Sequence, residues 1–287
     1  MRPFKQVDVF GEEPYLGNPV AVVVDGEGLS TTQMQRFAAW TNLSETTFLL
    51  PPTVPGADYR VRIFTTGGEL HFAGHPTIGS CHAWLEAGGA PAREGVIVQE
   101  CGVGLVELRL HHGRLAFAAP PLIRSGPVDP TDLDCACRVL QVDPADVVDA
   151  RWIDNGPGWI GLRLANADAV LAIKPDLGAA QEYAIGVAGL WASHDGRVGQ
   201  RQDPSDPAIE VRAFFRLGAE AAEDPVTGSL NASLAQWLLG SDELSTPYVA
   251  SQGTALGRRG RVHVDSADGE IWIGGNSVTC IEGAVRI

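Results

Sequence analysis

The sequence predicts an α/β fold, of the α+β kind, built from two related halves. Three observations lead there. Strand-like runs and single long helical stretches alternate along all 287 residues. The stretch His75-Pro76-Thr77-Ile78-Gly79-Ser80 is echoed 149 positions later by Asp224-Pro225-Val226-Thr227-Gly228-Ser229. Val61-Arg62-Ile63-Phe64 precedes the first copy much as Val211-Arg212-Ala213-Phe214 precedes the second. Length and 45% hydrophobic content suit two domains, or one large one, with an ample core. Pro120-Pro121 and then Ser125-Gly126-Pro127 read as a linker. The expected division is therefore 1–120 and 121–277, with a final strand over 278–287 packing back on the first half.

In the first half, Phe4 to Phe10 alternates like a strand with one buried face, and Val20 to Val24 is a β-branched run behind a Gly17-Asn18-Pro19 turn. Ser30-Thr31-Thr32-Gln33 is a capping box, with Met34, Phe37 and Ala38 on one face of a helix ending near Trp40. Asn42 to Leu50 runs from polar loop into apolar strand and stops at Pro51-Pro52. Tyr59 to Phe64, Gly95 to Gln99, Gly104 to Leu110 and Arg114 to Ala118 are strands, with a helix through Leu85 among them. In the second half, Asp129-Pro130 opens a helix through Leu140, and Asp143-Pro144 opens a shorter one. Asn155-Gly156-Pro157-Gly158 precedes Trp159 to Leu162 as Gly17-Asn18-Pro19 precedes its valines. Lys174-Pro175-Asp176 leads into a short helical region, Tyr183 to Ala192 is partly strand, and a helix ends at Leu239-Gly240. Arg261 to Val264, Ile271 to Ile273 and Val278 to Ile281 form a strand-rich tail, with the final turn at Gly274-Gly275.

Charge and cysteine content narrow the function. A net charge of −14 argues against nucleic acid or anionic membranes as partners. An anionic substrate would then need local positive potential from helix ends. The N-terminal MRPFKQVDVF lacks a signal-peptide core, and no apolar run is long enough to span a bilayer. Five cysteines at irregular positions suggest reduced thiols and a cytoplasmic location. Cys135-Ala136-Cys137 lacks zinc-site spacing, so packing is the expected role. His71 and His75 are four apart, and His82, His111 and His112 follow, but Gly74 and Pro76 disfavour a helix that would align the first two. No metal site is expected.

The doubled turn is the candidate site. A polar residue, then Pro, then small residues before an apolar run reads as a helix start, with His75 or Asp224 as N-cap and Pro in the first helical position. Free backbone amides and the positive end of the helix dipole there suit a carboxylate or phosphate. If the halves face each other, both helix starts point into one cleft. Glu45 stands where polar loop enters apolar strand, and desolvation at such a position raises a carboxylate's pKa towards values useful for moving protons. No dinucleotide fingerprint, Walker loop or nucleophile elbow is present.

With those residues in view, the chain resembles the family of the phenazine-biosynthesis isomerase, which shares the diaminopimelate epimerase fold. The matching pieces are Gly17-Asn18-Pro19, Asn42-Leu43-Ser44-Glu45-Thr46, Arg62-Ile63-Phe64-Thr65, Glu69, Phe72 to Thr77, Glu223 to Ser229, Gln252-Gly253 and Gly257-Arg258, in family order over nearly the whole chain. The resemblance implies two pseudo-symmetric domains, each a highly curved, largely antiparallel sheet wrapped around a central helix. It implies a homodimer, a site in the cleft between domains, and no cofactor. It makes Glu45 the general acid/base, with His75 and Asp224 assisting, and Ser44, Gly74, Gly228 and Ser229 binding a small-molecule carboxylate substrate. Thr66 in place of a common Pro, His71, and Arg216 after the second Phe depart from the pattern and bear on which substrate fits. Related epimerases use a cysteine pair, and neither turn here contains Cys. The expected activity is a cofactor-independent isomerase that moves a proton between carbons of a small cyclic, unsaturated carboxylate, as in phenazine biosynthesis. A racemase or epimerase, or a non-catalytic carboxylate binder, is the alternative.

Overall fold

The computed structural model describes residues 1–111, 113–179, 183–192, 205–217, 220–241 and 243–287. The chain divides into two compact units, Met1–Ala118 with Gly274–Ile287, and Ala119–Ile273.

The first unit contains β1 (Arg2–Val9), β2 (Asn18–Val23), α1 (Thr31–Thr41), β3 (Thr46–Leu50), β4 (Tyr59–Phe64), β5 (Glu69–Leu70), α2 (Gly74–Glu86), β6 (Val96–Cys101), β7 (Gly104–His111) and β8 (Arg114–Ala118). The second contains β9 (Arg124–Pro127), α3 (Pro130–Leu140), β10 (Val147–Asp154), β11 (Trp159–Leu164), α4 (Ala167–Ala172), β12 (Ala184–Leu190), β13 (Pro207–Leu217), β14 (Glu220–Asp224), α5 (Gly228–Gly240), β15 (Tyr248–Gln252), β16 (Gly260–Ala267) and β17 (Glu270–Gly275). The last strand, β18 (Ser277–Val285), returns to the first unit and pairs antiparallel with β1.

Both units follow one pairing scheme. In the first, β1 and β2 are antiparallel, β2 and β3 parallel, and β3 and β4 antiparallel. β4 then takes β5 antiparallel at one end and β6 parallel at the other. In the second, β10 to β11, β11 to β12, β12 to β13, β13 to β14 and β13 to β15 repeat those senses in that order. The returning β18 lies against β1 as β9 lies against β10. Two parallel pairs among antiparallel ones make each sheet mixed but largely antiparallel.

The central helices explain the curvature. α2 touches β18, β1, β2, β3, β6 and β8, so strands from one end of the sheet to the other reach the same helix. A sheet can do this only by wrapping. Close approach sets the fit on each side: a Cβ on Gly79 of α2 would lie 2.4 Å from a Val20 methyl. In the second unit the gap is on the strand, where a Cβ on Gly186 would meet Leu230 of α5 at 2.2 Å. Both helices have apolar residues most of the way round, as a helix inside a sheet must. The outer helices are amphipathic by contrast. α1 carries the expected Ser30–Gln33 capping box and buries Met34 and Ala38 against Val23, Phe48 and Phe64. α3 and α4 cover Trp152, Ile160, Leu162 and Val187 on the outside of the second sheet.

The structural repeat has a different register from the sequence echo. Phe64 opposes Glu69 on β5, and Phe214 opposes Glu223 on β14. Arg62 makes a two-pronged pair with Glu69 (2.7 and 2.6 Å), and Arg212 does the same with Glu223 (2.8 and 2.7 Å). From each glutamate the chain runs to a 13-residue helix that opens on glycine, Gly74 or Gly228. Gly74 therefore corresponds to Gly228, His75 to Ser229, and Asp224 to Leu70. The expected pairing of His75 with Asp224 is five residues out of step. Small residues and Pro recur near helix starts; the strand pairing and the arginine–glutamate pair fix the alignment instead.

The N-cap assignments change with it. α2 is capped at Ala73, which puts His75 and Pro76 inside its first turn; α5 is capped at Thr227, three residues beyond Asp224. Two further readings are corrected and one element is added. Ser125-Gly126-Pro127 is strand β9, held by β10, rather than linker. Gly274-Gly275 belongs to β17, because Gly274 must let Leu115 and Ala116 approach, and the turn falls at Asn276. α4, capped by Asn166, was not anticipated, its six residues being too short for periodicity to register. No helix among the described residues is long and apolar enough to cross a membrane.

Candidate functional site

In the first unit, three adjacent pieces of backbone bring Asn18, Glu45 and His75 together. β2 and β3 are parallel neighbours, so Asn18 at the start of β2 and Glu45 just before β3 lie at one end of the sheet. The Ala21 amide donates to the Glu45 carbonyl and continues that pairing past the strand end. The first turn of α2 then delivers His75 to the same place. His75 Nε2 stands 3.3 Å from Glu45 Oε2, and its Nδ1 stands 3.4 Å from Asn18 Nδ2. Glu45 and His75 are buried, at 7% and 5% exposure. Burial holds the His75 pKa down to about 3, against a smaller upward pull from the Pro19 carbonyl, so the imidazole is neutral at physiological pH. Ser44 is half-buried beside Glu45, and Gly74 opens α2 beside His75.

In the second unit, Asp224 ends β14, is buried, and accepts a 2.6 Å hydrogen bond on Oδ2 from the Thr227 hydroxyl. Thr227 is itself the N-cap of α5, so Asp224 is tied to the helix start that carries Gly228 and Ser229. Gln252 and Asn231 brace this loop from behind, with Gln252 donating to the Asp224 carbonyl (3.2 Å) and Asn231 to the Thr227 carbonyl (2.9 Å). Trp159 Nε1 donates to Ser229 Oγ at 3.2 Å, and Asn155 donates to the Ser229 carbonyl at 3.0 Å. With its oxygen engaged by the indole, the Ser229 hydroxyl keeps its own proton to donate.

Neither α2 nor α5 has a side-chain cap or an acidic residue in its first turn, whereas α1 and α4 are capped by Ser30 and Asn166. A helix start without a side-chain cap leaves its first backbone N–H groups able to take an outside acceptor. Cys81 is buried in α2, and burial pushes its pKa up to about 12. Among the described residues no group of three or more His, Cys, Asp and Glu could hold a metal ion. His112 lies outside the described residues, as does the side chain of Arg216. The Thr66 carbonyl accepts from Gln35 at 3.2 Å, and His71 packs over Gly102.

The sequence-derived candidates Glu45 and His75 are in contact, and Asp224, Gly228 and Ser229 share one loop and helix start. Asn18, Trp159, Thr227 and Gln252 were not singled out as site residues. Asn18, Thr227 and Gln252 did stand in matching motifs, which was signal enough to suspect them. Trp159 read only as strand.

A family model described as phenazine biosynthesis-like protein matches residues 7–283. A trans-2,3-dihydro-3-hydroxyanthranilate isomerase from Pseudomonas fluorescens is 30% identical over 99% of both chains. The Schizosaccharomyces pombe protein named antisense-enhancing sequence 1 is 35% identical, over 98% of this chain and 97% of its own. Among solved structures, a Bacillus anthracis phenazine biosynthesis protein of the PhzF family superposes with a TM-score of 0.82 at 22% identity, covering 100% and 99% of the two chains. A probable proline racemase from Agrobacterium radiobacter superposes at 0.58 with 14% identity, over 100% and 93%, which extends the likeness of fold to racemases. A family match over nearly the whole chain, together with full-length relatives at this identity, means that the chain belongs to the phenazine biosynthesis-like, or PhzF, family of isomerases.

Proposed function

We propose that the protein is a cofactor-independent isomerase that moves a proton between carbons of a small, cyclic, unsaturated carboxylate. Glu45 is its general acid/base. The buried contact between Glu45 and a neutral His75 carries this reading. A shuttle must hold a proton in one stage and release it in the next. An imidazolium 3.3 Å away would pin the carboxylate in its ionised form, whereas a neutral imidazole adds a dipole and lets Glu45 alternate. Glu45 takes a proton from one carbon, the electron pair shifts along the conjugated system towards the substrate carboxylate, and Glu45, having exchanged its proton with solvent, delivers one to another carbon. Each helix start without a side-chain cap, Gly74 of α2 and Gly228 with Ser229 of α5, offers backbone amides that suit a carboxylate and the charge that gathers on it. Asp224 is the candidate to orient a polar substituent of the substrate, and Ser44 stands beside Glu45. The substrate class follows the relative from Pseudomonas fluorescens, and phenazine-like secondary metabolism is the proposed setting. We also propose a cytoplasmic homodimer, which light scattering on the purified protein would test.

Proton NMR in D₂O on a panel of cyclic dienoic and amino-acid carboxylates tests the activity, with trans-2,3-dihydro-3-hydroxyanthranilate included. Deuterium should enter one carbon as a double bond moves. Exchange at a single carbon with loss of optical activity would replace the reading with a racemase. Binding without exchange, seen as ligand line broadening, would replace it with a carboxylate-binding protein.

A further inference from the structure

Gln252 is wholly buried, and its side-chain amide is engaged on both sides of one loop. Its Oε1 accepts from the Thr227 amide at 3.0 Å and from Asn231 Nδ2 at 2.9 Å. Its Nε2 donates to the Asp224 carbonyl at 3.2 Å and to Thr227 Oγ1 at 2.9 Å. The orientation of the amide is not free. A backbone N–H can only donate, so the carbonyl end must face Thr227 N, and a backbone carbonyl can only accept, so the NH₂ end must face Asp224 O. One N–H of Gln252 is thereby committed to Thr227 Oγ1.

That commitment fixes the next link. Thr227 Oγ1 already accepts, and its single proton goes to Asp224 Oδ2, 2.6 Å away. A neutral Asp224 would carry its proton on Oδ1 and still accept at Oδ2, but a hydrogen bond donated to a carboxyl oxygen favours the ionised form over the neutral one. The chain of donors runs one way and ends on Asp224 Oδ2. The neighbouring Glu223 does not compete, since it points to the opposite face of β14 and pairs with Arg212.

We propose that Gln252, acting through Thr227, is a positioning residue that holds Asp224 as an oriented carboxylate anion. The inference rests on the reading of Asp224 as a site residue only for its catalytic consequence; the hydrogen-bond relay itself can be tested without substrate. Each substitution along the relay then has a distinct signature. Thr227→Val keeps the shape and removes the last donor. Thr227→Ser keeps the donor. Gln252→Glu keeps the acceptor for Thr227 N and removes both donors.

The test is a pH titration of the Asp224 carboxyl carbon in protein labelled with ¹³C-aspartate, the resonance being assigned by its absence in Asp224→Asn. Removing a hydrogen bond to the charged form should raise the midpoint by about one pH unit in Thr227→Val and in Gln252→Glu. Thr227→Ser should return it to the wild-type value. Thermal melts of each variant separate this from unfolding. An unchanged midpoint in a folded Thr227→Val protein overturns the relay. With turnover measured on the substrate found by NMR, Thr227→Val should lower kcat about tenfold and leave KM within about threefold. In the Asp224→Asn background it should cost almost nothing. An equal cost in both backgrounds overturns the positioning role. Full activity in Asp224→Asn alone removes the reading of Asp224 instead, and leaves the titration result standing.

Discussion

His75 Nε2 lies 3.3 Å from Glu45 Oε2, and neither side chain is more than a tenth exposed. The two residues come from different elements, a loop before β3 and the first turn of α2, which fold together because α2 is buried inside the curved sheet. In the proposed mechanism this carboxylate, out of water and beside an uncharged imidazole, exchanges a proton with a carbon. Glu45→Gln keeps the shape and the polarity and removes the titratable proton. It should lower kcat at least about a thousandfold, the upper part of the range for losing a general acid/base. The melting temperature and the affinity for a product-like carboxylate should stay close to wild type. Deuterium exchange at wild-type rates in this variant would remove Glu45 from the mechanism.

Protonation of His75 is resisted by the fold. Its folded pKa is about 3 and its ordinary value 6.5, so the unfolded chain binds the proton more readily. The contribution is fully present above pH 6.5 and is lost as pH falls from about 6.5 towards about 3, by at most about 1.4 kcal/mol per pH unit. Glu45 is the acidic group facing His75. His82 is also held below its ordinary value by burial, so it adds a slope of the same sign. Urea denaturation at a series of pH values between 7 and about 4 should show wild-type stability falling more steeply than that of His75→Asn. His82→Gln serves as the control that removes only the other histidine. Parallel curves for wild type and His75→Asn would mean that His75 is already charged in the folded protein.

Much of this arrangement was legible in the sequence, for reasons that differ by residue. Strand alternation, the Ser30–Gln33 box and the Asp129-Pro130 start are local signals, and the structure has those elements where they were read. The register of the repeat was not legible, because it depends on which strand residues face each other. Arg62 with Glu69 and Arg212 with Glu223 become recognisable as equivalents only once β4 and β13 are paired with β5 and β14. The correct register also shows that the repeat preserved fold and not chemistry. Strand pairing sets Glu45 opposite the position of Ala184 in the second unit, and Asp224 opposite that of Leu70 in the first. Each unit carries one carboxylate at a place where the other has an apolar residue, so no search for identical motifs would find both. Gln252 and Trp159 act through side chains that cross from a strand to the α5 start, a relationship invisible along the chain.

Trp159 and Ser229 supply a prediction about binding. The indole N–H donates to the Ser229 oxygen, and in the proposed site the Ser229 hydroxyl donates its own proton to the substrate. Ser229→Ala should raise KM for the carboxylate substrate by about three- to tenfold, the value of one neutral hydrogen bond, and change kcat less. Trp159→Phe keeps the packing and lets the hydroxyl turn, so it should produce a smaller rise in the same direction. A drop in kcat at unchanged KM in Ser229→Ala would mean that the hydroxyl acts in the chemical step rather than in holding substrate.

The two arginine–glutamate pairs share a geometry and differ in burial, which makes them a matched test of what burial does to an ion pair. The Arg212 and Glu223 side chains are 4% and 8% exposed, whereas those of Arg62 and Glu69 are 19% and 37% exposed. Arg212 also donates to the carbonyls of Val170 and Ile173, at 3.2 and 2.8 Å, and so joins β13 to the end of α4. Removing Glu223 leaves a guanidinium buried without its counter-charge, and its two carbonyl partners only partly replace it. Glu223→Gln should therefore destabilise the protein by about 3 to 5 kcal/mol. Around Arg62, water reaches the guanidinium when the carboxylate is neutralised, and Glu69→Gln should cost about 1 kcal/mol or less. Salt should distinguish them as well, with 0.5 M NaCl narrowing the gap between wild type and Glu69→Gln and hardly touching that for Glu223→Gln. Equal losses from the two substitutions in urea denaturation would mean that the Arg212 pair is hydrated in solution, and that β14 opens far enough to admit water beside Asp224.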